Sequence, residues 1–229
     1  PTADLVPLQV DTAAAKQQLG YAADDQVLAV LPGSRNSEMK HMVKLYLETI
    51  KLCHSAKPDL KFVMPLLYAG HQQFVEFWKE KIIPDIELKF VLADSYAVMR
   101  AADFALVTSG TASLEIMLHG KPMVVAYRTN WFTYAIVKAL IKVKYIALPN
   151  LLANRALVPE YIQHAATARN LSAELLKLID SKQLQNAQIA EFKILHESLR
   201  KDASVTAAAS ITKLLSNTVK EEYANSWSG

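Results

Sequence analysis

Residues 102–122 read ADFALVTSGTASLEIMLHGKP, and within them the hydrophobic pattern changes from that of a strand to that of a helix. The apolar run Phe104–Val107 is too short for a helix and is bounded by polar residues, as in a strand buried on both faces. Apolar residues then recur at helical spacing in 114–118, and a Gly-Lys-Pro sequence ends the helix. The stretch therefore predicts a strand, a tight turn and the start of a helix.

The turn consists of Ser109, Gly110 and Thr111, which supply a hydroxyl cap and a flexible backbone. A helix that begins here presents free N–H groups and the positive end of its dipole, which together favour a phosphate. Glu115 lies one turn further on the same face, where its carboxylate can accept hydrogen bonds from sugar hydroxyls. The alternative is an ordinary capped helix without a ligand, on which Glu115 is a solvated acid.

Composition limits the classes of protein that remain. The chain has 229 residues, 52% of them apolar, which suffices for one large domain or for one domain with a helical extension. A net charge of +3, without any nucleic-acid-binding motif, argues against nucleic acid as a partner. The single Cys53 excludes an internal disulfide, and the histidines lack metal-ligand spacing, so we expect no metal. No apolar run is long enough to predict a membrane span.

Strand-like runs alternate with helical patterns along the chain. The predicted strands are Val27–Leu31, Lys61–Leu67, Glu87–Leu92, Phe104–Val107, Met123–Tyr127 and Tyr145–Leu148. The predicted helices are Asp11–Leu19, a long helix containing Met39 to Cys53, His71–Lys81, Asp94–Ala101, Thr111–Leu118, Trp131–Val143, Pro159–Ala165, Ser172–Ile179, Leu184–Leu199 and Val205–Val219. This alternation predicts an α/β fold with a doubly wound parallel sheet, whose ligand crevice lies at the carboxyl ends of the strands.

Three segments follow from this pattern. Residues 1–10 are expected to form a linker, residues 11–165 a Rossmann-like domain, and residues 166–229 a C-terminal helical tail. A tail attached to a finished sheet needs a further surface for its apolar stripes, so we expect it to pack on a part outside this chain. A homodimer that exchanges its tails is one such arrangement.

Two loops at the predicted carboxyl edge combine into one candidate site. Pro32–Arg35 follows the first strand, and Thr108–Thr111 follows the fourth. The Arg35 guanidinium, beside Gly33 and Ser34, would face the same crevice as the helix start and bind a diphosphate. The alternative for Arg35 is a surface ion pair with Glu38. No P-loop motif and no Gly-x-Gly-x-x-Gly motif occurs.

The segment from 116 to 159 contains no acidic residue but several basic and aromatic ones. Its central helix, Trp131–Val143, carries Lys138 and Lys142 on one face, and such a helix can lie on an anionic membrane surface. The alternative, with even support, is a buried helix that covers the sheet while its lysines extend outward.

Three blocks of sequence, Leu31–Glu38, Thr108–Glu115 and Leu148–Arg155, resemble the signatures of the lipid-A-disaccharide synthase family. That family has two Rossmann-like domains in the arrangement called GT-B, and the resemblance covers residues 1–199 as its C-terminal, nucleotide-sugar-binding half. The third block is the most specific of the three. The assignment to a C-terminal half agrees with the expected linker at the start of this chain and the expected helices at its end.

The resemblance implies a hexosyltransferase that moves the sugar of UDP-2,3-diacylglucosamine onto 2,3-diacylglucosamine 1-phosphate, without a metal or another cofactor. Arg35 and the helix start near Gly110 would stabilise the leaving diphosphate, and Glu115 would bind the ribose. The loop Phe90–Ala93 would border the uracil, with Val91 and Leu92 as contacts. Asn150 and Arg155 would complete the sugar and phosphate pocket, although a turn role for Asn150 is nearly as well supported.

The same resemblance implies that the general base lies in an N-terminal domain, so that this part alone is inactive. It implies a cytoplasmic enzyme that is peripheral on the inner face of the bacterial inner membrane. Two other functions stay open: a UDP-sugar epimerase of the same architecture, and a non-catalytic module that binds a nucleotide or a membrane.

Overall fold

The computed structural model describes residues 2–129 and 144–200. In this part of the chain six strands form one sheet, all parallel, in the order β3-β2-β1-β4-β5-β6. The strands are β1 (Val27–Leu31), β2 (Lys61–Leu66), β3 (Lys89–Leu92), β4 (Phe104–Thr108), β5 (Met123–Tyr127) and β6 (Glu160–Ile162). The predicted doubly wound parallel sheet is therefore confirmed, and five of the predicted strands occur within a few residues of their expected bounds.

Helices cover both faces of the sheet. They are α1 (Thr2–Leu5), α2 (Thr12–Gln18), α3 (Asn36–Ala56), α4 (Ala69–Ile82), α5 (Ser95–Ala101), α6 (Thr111–Leu118), α7 (Leu148–Ala153), α8 (Ala168–Asp180) and α9 (Lys182–Leu199), with a short 3₁₀ turn at Gln163–Ala165. The predicted helices Trp131–Val143 and Val205–Val219 lie outside the described residues.

The central strands are buried on both faces, which explains why their sequences are continuously apolar rather than alternating. Leu28 and Val30 of β1 belong to the core beneath α3, whose apolar stripe includes the fully buried Met42 and Tyr46. Ala29 and its neighbours on the other face belong to a second core beneath α5, α6 and α9. On each side of the sheet, the apolar stripe of a helix, with its period of 3.6 residues, packs against alternate residues of the strands.

The order of the strands creates a switch point. From β1 the chain continues through β2 to β3 on one side, and then returns to place β4 on the other side of β1. Ligands of such sheets bind in the crevice at the carboxyl ends of the strands where the winding reverses. The loops after β1 and β4, which the sequence singles out, flank this position.

The helices after residue 166 pack on the sheet domain, whereas we expected them to need a surface outside this chain. Leu171, Leu175 and Leu178 of α8 are buried in the same core as α3, and Phe192 of α9 is fully buried in the second core. The predicted apolar stripes are present, but they pack against the two faces of the sheet. In the described part, the boundary at residue 166 therefore does not separate the tail from the domain core.

The amino-terminal segment differs from the expected linker. Thr2–Leu5 form one helical turn, and Ala3 and Val6 are buried in the second core. The carbonyl of Ala3 lies 3.0 Å from Nε2 of His196 on α9. A short apolar segment with prolines resembles a linker, but here it covers part of α9.

The sixth strand lies at different residues from those that the sequence predicts. Tyr145–Leu148 was expected to be extended and Pro159–Ala165 helical, but β6 is Glu160–Ile162, and Leu148 begins α7 with Pro149 in its first turn. Strand β6 has only three residues, each half-buried, so it carries little periodicity of its own. Its position depends on pairing with β5, which local sequence does not report.

Candidate functional site

A cleft of about 410 Å³ opens at the switch point of the sheet. It is bordered by the ends of β1, β2 and β4, the loop after β3, and the first turns of α3 and α6. Its lining residues are Leu31, Gly33, Ser34, Arg35, Glu38, Pro65, Leu66, Leu67, Ala93, Asp94, Ser95, Met99, Thr108, Ser109, Gly110, Thr111, Ala112 and Glu115. The two predicted loops therefore meet in one crevice, and that crevice is open.

The first loop is held in shape by Gly33 and Glu38. Gly33 has φ +104, a conformation that side chains rarely adopt, and a Cβ at this position would lie 2.7 Å from Cβ of Glu38. The Glu38 carboxylate folds back over the loop and accepts hydrogen bonds from the backbone N–H of Ser34 at 3.0 Å and of Arg35 at 3.2 Å. Only glycine leaves room for this arrangement.

Arg35 stands at the mouth of the cleft. Its side chain is 81% exposed and its guanidinium lies 3.4 Å from the Glu38 carboxylate. This is the ion pair that the sequence offered as the alternative role of Arg35. An exposed pair of this kind contributes little to stability, so the guanidinium can leave Glu38 for another anion at small cost.

The second loop leads into α6 through Gly110, which has φ +142. The predicted hydroxyl cap is wrong: in the described structure no side chain caps this helix, and the Ser113 hydroxyl instead donates to the Gly110 carbonyl at 2.7 Å. The first N–H groups of a helix have no acceptor within the helix. The start of α6 therefore presents uncapped donors and the positive end of its dipole beside the cleft.

Two hydroxyl groups anchor the residues before Gly110. The Thr108 hydroxyl lies 3.1 Å from the Tyr46 phenol on α3, in a buried contact. Burial raises the pKa of Tyr46, so the phenol stays protonated and can donate. On the opposite side, the Ser109 hydroxyl donates to the carbonyl of Ile146 at 2.8 Å. The loop is thus fixed from both sides.

Glu115 lies on the wall of the cleft, as its spacing from Thr111 predicts. Partial burial raises the pKa of its carboxyl above the ordinary value for glutamic acid. A carboxylate that has lost part of its hydration gains from hydrogen-bond donors on a ligand. Hydroxyl groups of a sugar are donors of this kind.

The third predicted region is displaced by one residue. Val91 and Leu92 end β3 and do not line the cleft, whereas Ala93, Asp94 and Ser95 of the following turn do. Ala93 has φ +55, and the Asp94 carboxylate caps α5 through the N–H of Ala97 at 2.8 Å.

Sequence reasoning also missed the wall formed by Pro65, Leu66 and Leu67 at the end of β2. The predicted sheet already implies this wall, because in a parallel sheet every strand that neighbours the switch point brings its carboxyl end to the same edge.

The structure does not bring Asn150 or Arg155 to the cleft. Asn150 is fully buried, and its amide donates to the Val158 carbonyl at 2.8 Å and accepts from the Leu157 and Val158 N–H groups at 2.7 Å each. Arg155 forms an ion pair of 2.5 Å with Glu191 on α9.

The described residues form neither a metal-binding cluster nor a membrane-spanning helix. In residues 2–129 and 144–200, no cluster of histidine, cysteine or acidic residues has the arrangement of a metal site. Within the same ranges, no helix combines the length and apolarity needed to cross a bilayer.

Solved structures with similar folds are distant in sequence. Sucrose-phosphate synthase from Thermosynechococcus elongatus superposes with a TM-score of 0.57 at 13% identity, over 92% of this chain and 50% of that one. UDP-GlcNAc 2-epimerase from Neisseria meningitidis, solved with UDP-GlcNAc, gives 0.53 at 15% identity, over 81% of this chain and 48% of that one. At such identities the likeness shows the fold alone.

Sequence relatives are much nearer. The lipid-A-disaccharide synthase of Pseudomonas aeruginosa strain LESB58 is 43% identical over 215 residues, which cover 94% of this chain and 56% of the relative. That of Vibrio parahaemolyticus is 42% identical over 93% of this chain and 56% of the relative. The chain thus spans about half the length of these curated relatives. The sequence model of the family described as lipid-A-disaccharide synthetase matches residues 1–213, and the chain belongs to that family.

Proposed function

We propose that this chain is the UDP-sugar-binding half of a hexosyltransferase that forms the lipid A disaccharide. The observation that carries the proposal is the meeting of Gly33–Arg35 with Ser109–Thr111 around an open cleft at the switch point. Membership of the lipid-A-disaccharide synthetase family supports UDP-2,3-diacylglucosamine as donor and 2,3-diacylglucosamine 1-phosphate as acceptor.

In the proposed reaction an acceptor hydroxyl oxygen bonds to the anomeric carbon of the donor sugar while the bond from that carbon to the β-phosphate oxygen breaks. UDP leaves with the electron pair, and the hydroxyl proton passes to a base. By family resemblance this base belongs to an N-terminal domain outside the present sequence. We therefore expect the 229-residue chain to bind UDP but not to catalyse transfer alone.

The role of this half is to stabilise the charge that develops on the diphosphate. The α6 start offers N–H donors that no described side chain caps, and Arg35 offers a mobile cation at the opposite rim. Preorganised donors aimed at a developing negative charge are among the strongest catalytic devices in enzymes. On diphosphate binding, Arg35 exchanges its exposed contact with Glu38 for the phosphate oxygens.

The nucleoside is held by the other walls. Glu115, whose carboxylate is partly desolvated, accepts from the ribose hydroxyls. The turn that follows Val91 and Leu92 borders the uracil, and Ala93 and Asp94 are its residues nearest the cleft. Asn150 and Arg155 lie outside the walls of this pocket.

Titration with UDP tests the proposal directly. Wild-type protein should bind UDP, and Arg35→Ala should weaken binding by about 1.5 kcal/mol, the lower end of the range for charge-assisted hydrogen bonds, because the guanidinium starts from an exposed position. Arg169→Ala is the matched control, since Arg169 is an exposed arginine of α8 that does not line the cleft.

The possible results distinguish failure of the proposed function from failure of the role proposed for Arg35. No heat of UDP binding with the wild type contradicts the proposed function as a whole. UDP binding that Arg35→Ala leaves unchanged removes only Arg35 from the site. In the full-length protein, UDP release that requires the acceptor indicates a transferase, whereas acceptor-independent release indicates an epimerase.

Membrane association and dimer formation are further parts of the proposal. The acid-free segment containing Trp131–Val143 suits a peripheral position on the inner face of the bacterial inner membrane, where acylated substrates reside. Cosedimentation with anionic vesicles should be lost in the double variant Trp131→Ser and Phe132→Ser. Light scattering compares the oligomeric state of the intact chain with that of a chain ending at residue 200; the same oligomeric state in both would contradict an exchanged tail.

A further inference from the structure

We propose that Glu160, a residue outside the cleft, is the positioning residue for the loop that precedes α6. The inference rests on the proposed binding of UDP at this cleft and concerns how its second loop is held.

The carboxylate of Glu160 receives three donors. It accepts from the backbone N–H of Ile146 and of Ala147, both at 3.0 Å, and from the side-chain amide of Asn150 at 2.5 Å. Glu160 opens β6, the edge strand beside β5, so its backbone is fixed by the sheet. It therefore ties the segment before α7 to the sheet.

The same segment reaches the cleft. One peptide unit joins Ile146 to Ala147: its N–H donates to Glu160, and its carbonyl accepts from the Ser109 hydroxyl at 2.8 Å. Donation to a charged acceptor polarises a peptide unit and strengthens its carbonyl as an acceptor. Glu160 thus fixes both the place and the strength of the contact that holds Ser109.

Asn150 completes this arrangement. Its two amide hydrogens donate to the Val158 carbonyl and to Glu160, and its oxygen accepts from two backbone N–H groups. All the hydrogen-bonding capacity of this buried amide is used, so it holds the segment from α7 to β6 and keeps Glu160 in register. This explains how Asn150 can influence the cleft without lining it.

A chemically conservative change isolates the carboxylate. In Glu160→Gln one acceptor oxygen becomes an amide donor, which must face one of the three donors that Glu160 now binds. We expect the dissociation constant for UDP to rise about tenfold, which corresponds to the loss of one charge-assisted hydrogen bond. Glu174→Gln is the matched control, because Glu174 accepts from Tyr161 of the same strand at 3.0 Å but does not line the cleft.

A double-mutant cycle distinguishes positioning from general stability. If Glu160 acts through Ser109, the effect of Glu160→Gln on UDP binding should fall below about twofold in a Ser109→Ala background. If Glu160→Gln does not fold, the cycle is run with Glu160→Asp, which keeps the charge but shortens the reach. Equal effects in both backgrounds, or an unchanged dissociation constant in Glu160→Gln, would overturn the proposal.

Hydrogen exchange provides a readout that needs no ligand. The amides of Ser109 and Ser113, which donate to the carbonyls of Ala126 at 3.2 Å and Gly110 at 3.1 Å, should exchange faster in Glu160→Gln than in the wild type, while those of β1 stay protected. Wild-type protein that fails to bind UDP contradicts the proposed function, but this exchange difference still tests the positioning role. No difference in exchange at Ser109 and Ser113 overturns it.

Discussion

Gly33→Ala should destabilise the protein by about 3 kcal/mol, and the structure gives the two contributions. A non-glycine residue at φ +104 is strained by roughly 1 to 3 kcal/mol. In addition, the new Cβ would lie 2.7 Å from Cβ of Glu38, which must move and give up its bonds to the N–H groups of Ser34 and Arg35. Losing such bonds costs about 0.5 to 1.5 kcal/mol each.

The matched control is Gly120→Ala. Gly120 also has a positive φ, +66, but a Cβ there would meet no atom within 4 Å. Its substitution should therefore cost only the backbone strain, about 1 kcal/mol. The difference of about 2 kcal/mol between the two variants measures the contribution of the Glu38 contact.

Urea unfolding of the two variants, with and without Glu38→Gly, provides the assay. In the Glu38→Gly background, which removes the clashing Cβ as well as the carboxylate, Gly33→Ala should cost only its backbone strain. Equal losses for the two glycine variants in the wild-type background would refute the reasoning, since Glu38 would then not require the space at residue 33.

Three further predictions follow from burial and charge. In titrations, Glu115→Gln should weaken the binding of UDP more than the binding of 2′-deoxy-UDP. Because burial raises the pKa of Glu115, its ionisation opposes folding, so Glu115→Gln should also increase the free energy of unfolding at pH 7. This gain should disappear below about pH 4.3. Burial lowers the pKa of Lys121 to about 8, so its cationic form opposes folding. In urea titrations, Lys121→Met should therefore stabilise the protein at pH 7, and this gain should shrink toward pH 9.5. A gain that does not depend on pH would contradict this. Phe192→Ala should cost about 3 to 5 kcal/mol, because the ring is fully buried in the second core, whereas Ile194→Ala on the exposed face should cost little; equal small losses would mean that α9 is not part of the core.

The elements around the switch point were predictable because their signals are local. Val27–Leu31 and Met123–Tyr127 are apolar runs bounded by breakers, and they form strands with those bounds. Gly33 and Gly110, which the sequence places in the two loops, both have a positive φ that glycine adopts readily. The parallel order of the sheet then brings the two loops together, which the alternation of strands and helices predicts without any long-range information.

The parts that failed depend on contacts between distant segments. Glu160–Ile162 become a strand because β5 offers a free edge and because the Glu160 carboxylate binds the Ile146 and Ala147 N–H groups. The family resemblance predicts Asn150 in the sugar pocket, whereas its position after Pro149 supports a turn role nearly as well. Only the four partners of its amide distinguish a residue that holds a loop from one that touches a ligand.

Within the described residues no side chain caps α6, so nucleotide binding at this helix start, as proposed above, would link the stability of the protein to its ligand. A side-chain cap typically adds about 1 kcal/mol to the stability of a helix, and α6 begins at Gly110 without one. An anion seated at that end would supply the missing acceptor, so the occupied protein should melt at a higher temperature than the empty one. At a nucleotide concentration of about 100 times the dissociation constant, mass action would add about 2.7 kcal/mol. If UDP or a UDP-sugar binds there as proposed, an abundant supply of it would protect this domain from unfolding and proteolysis.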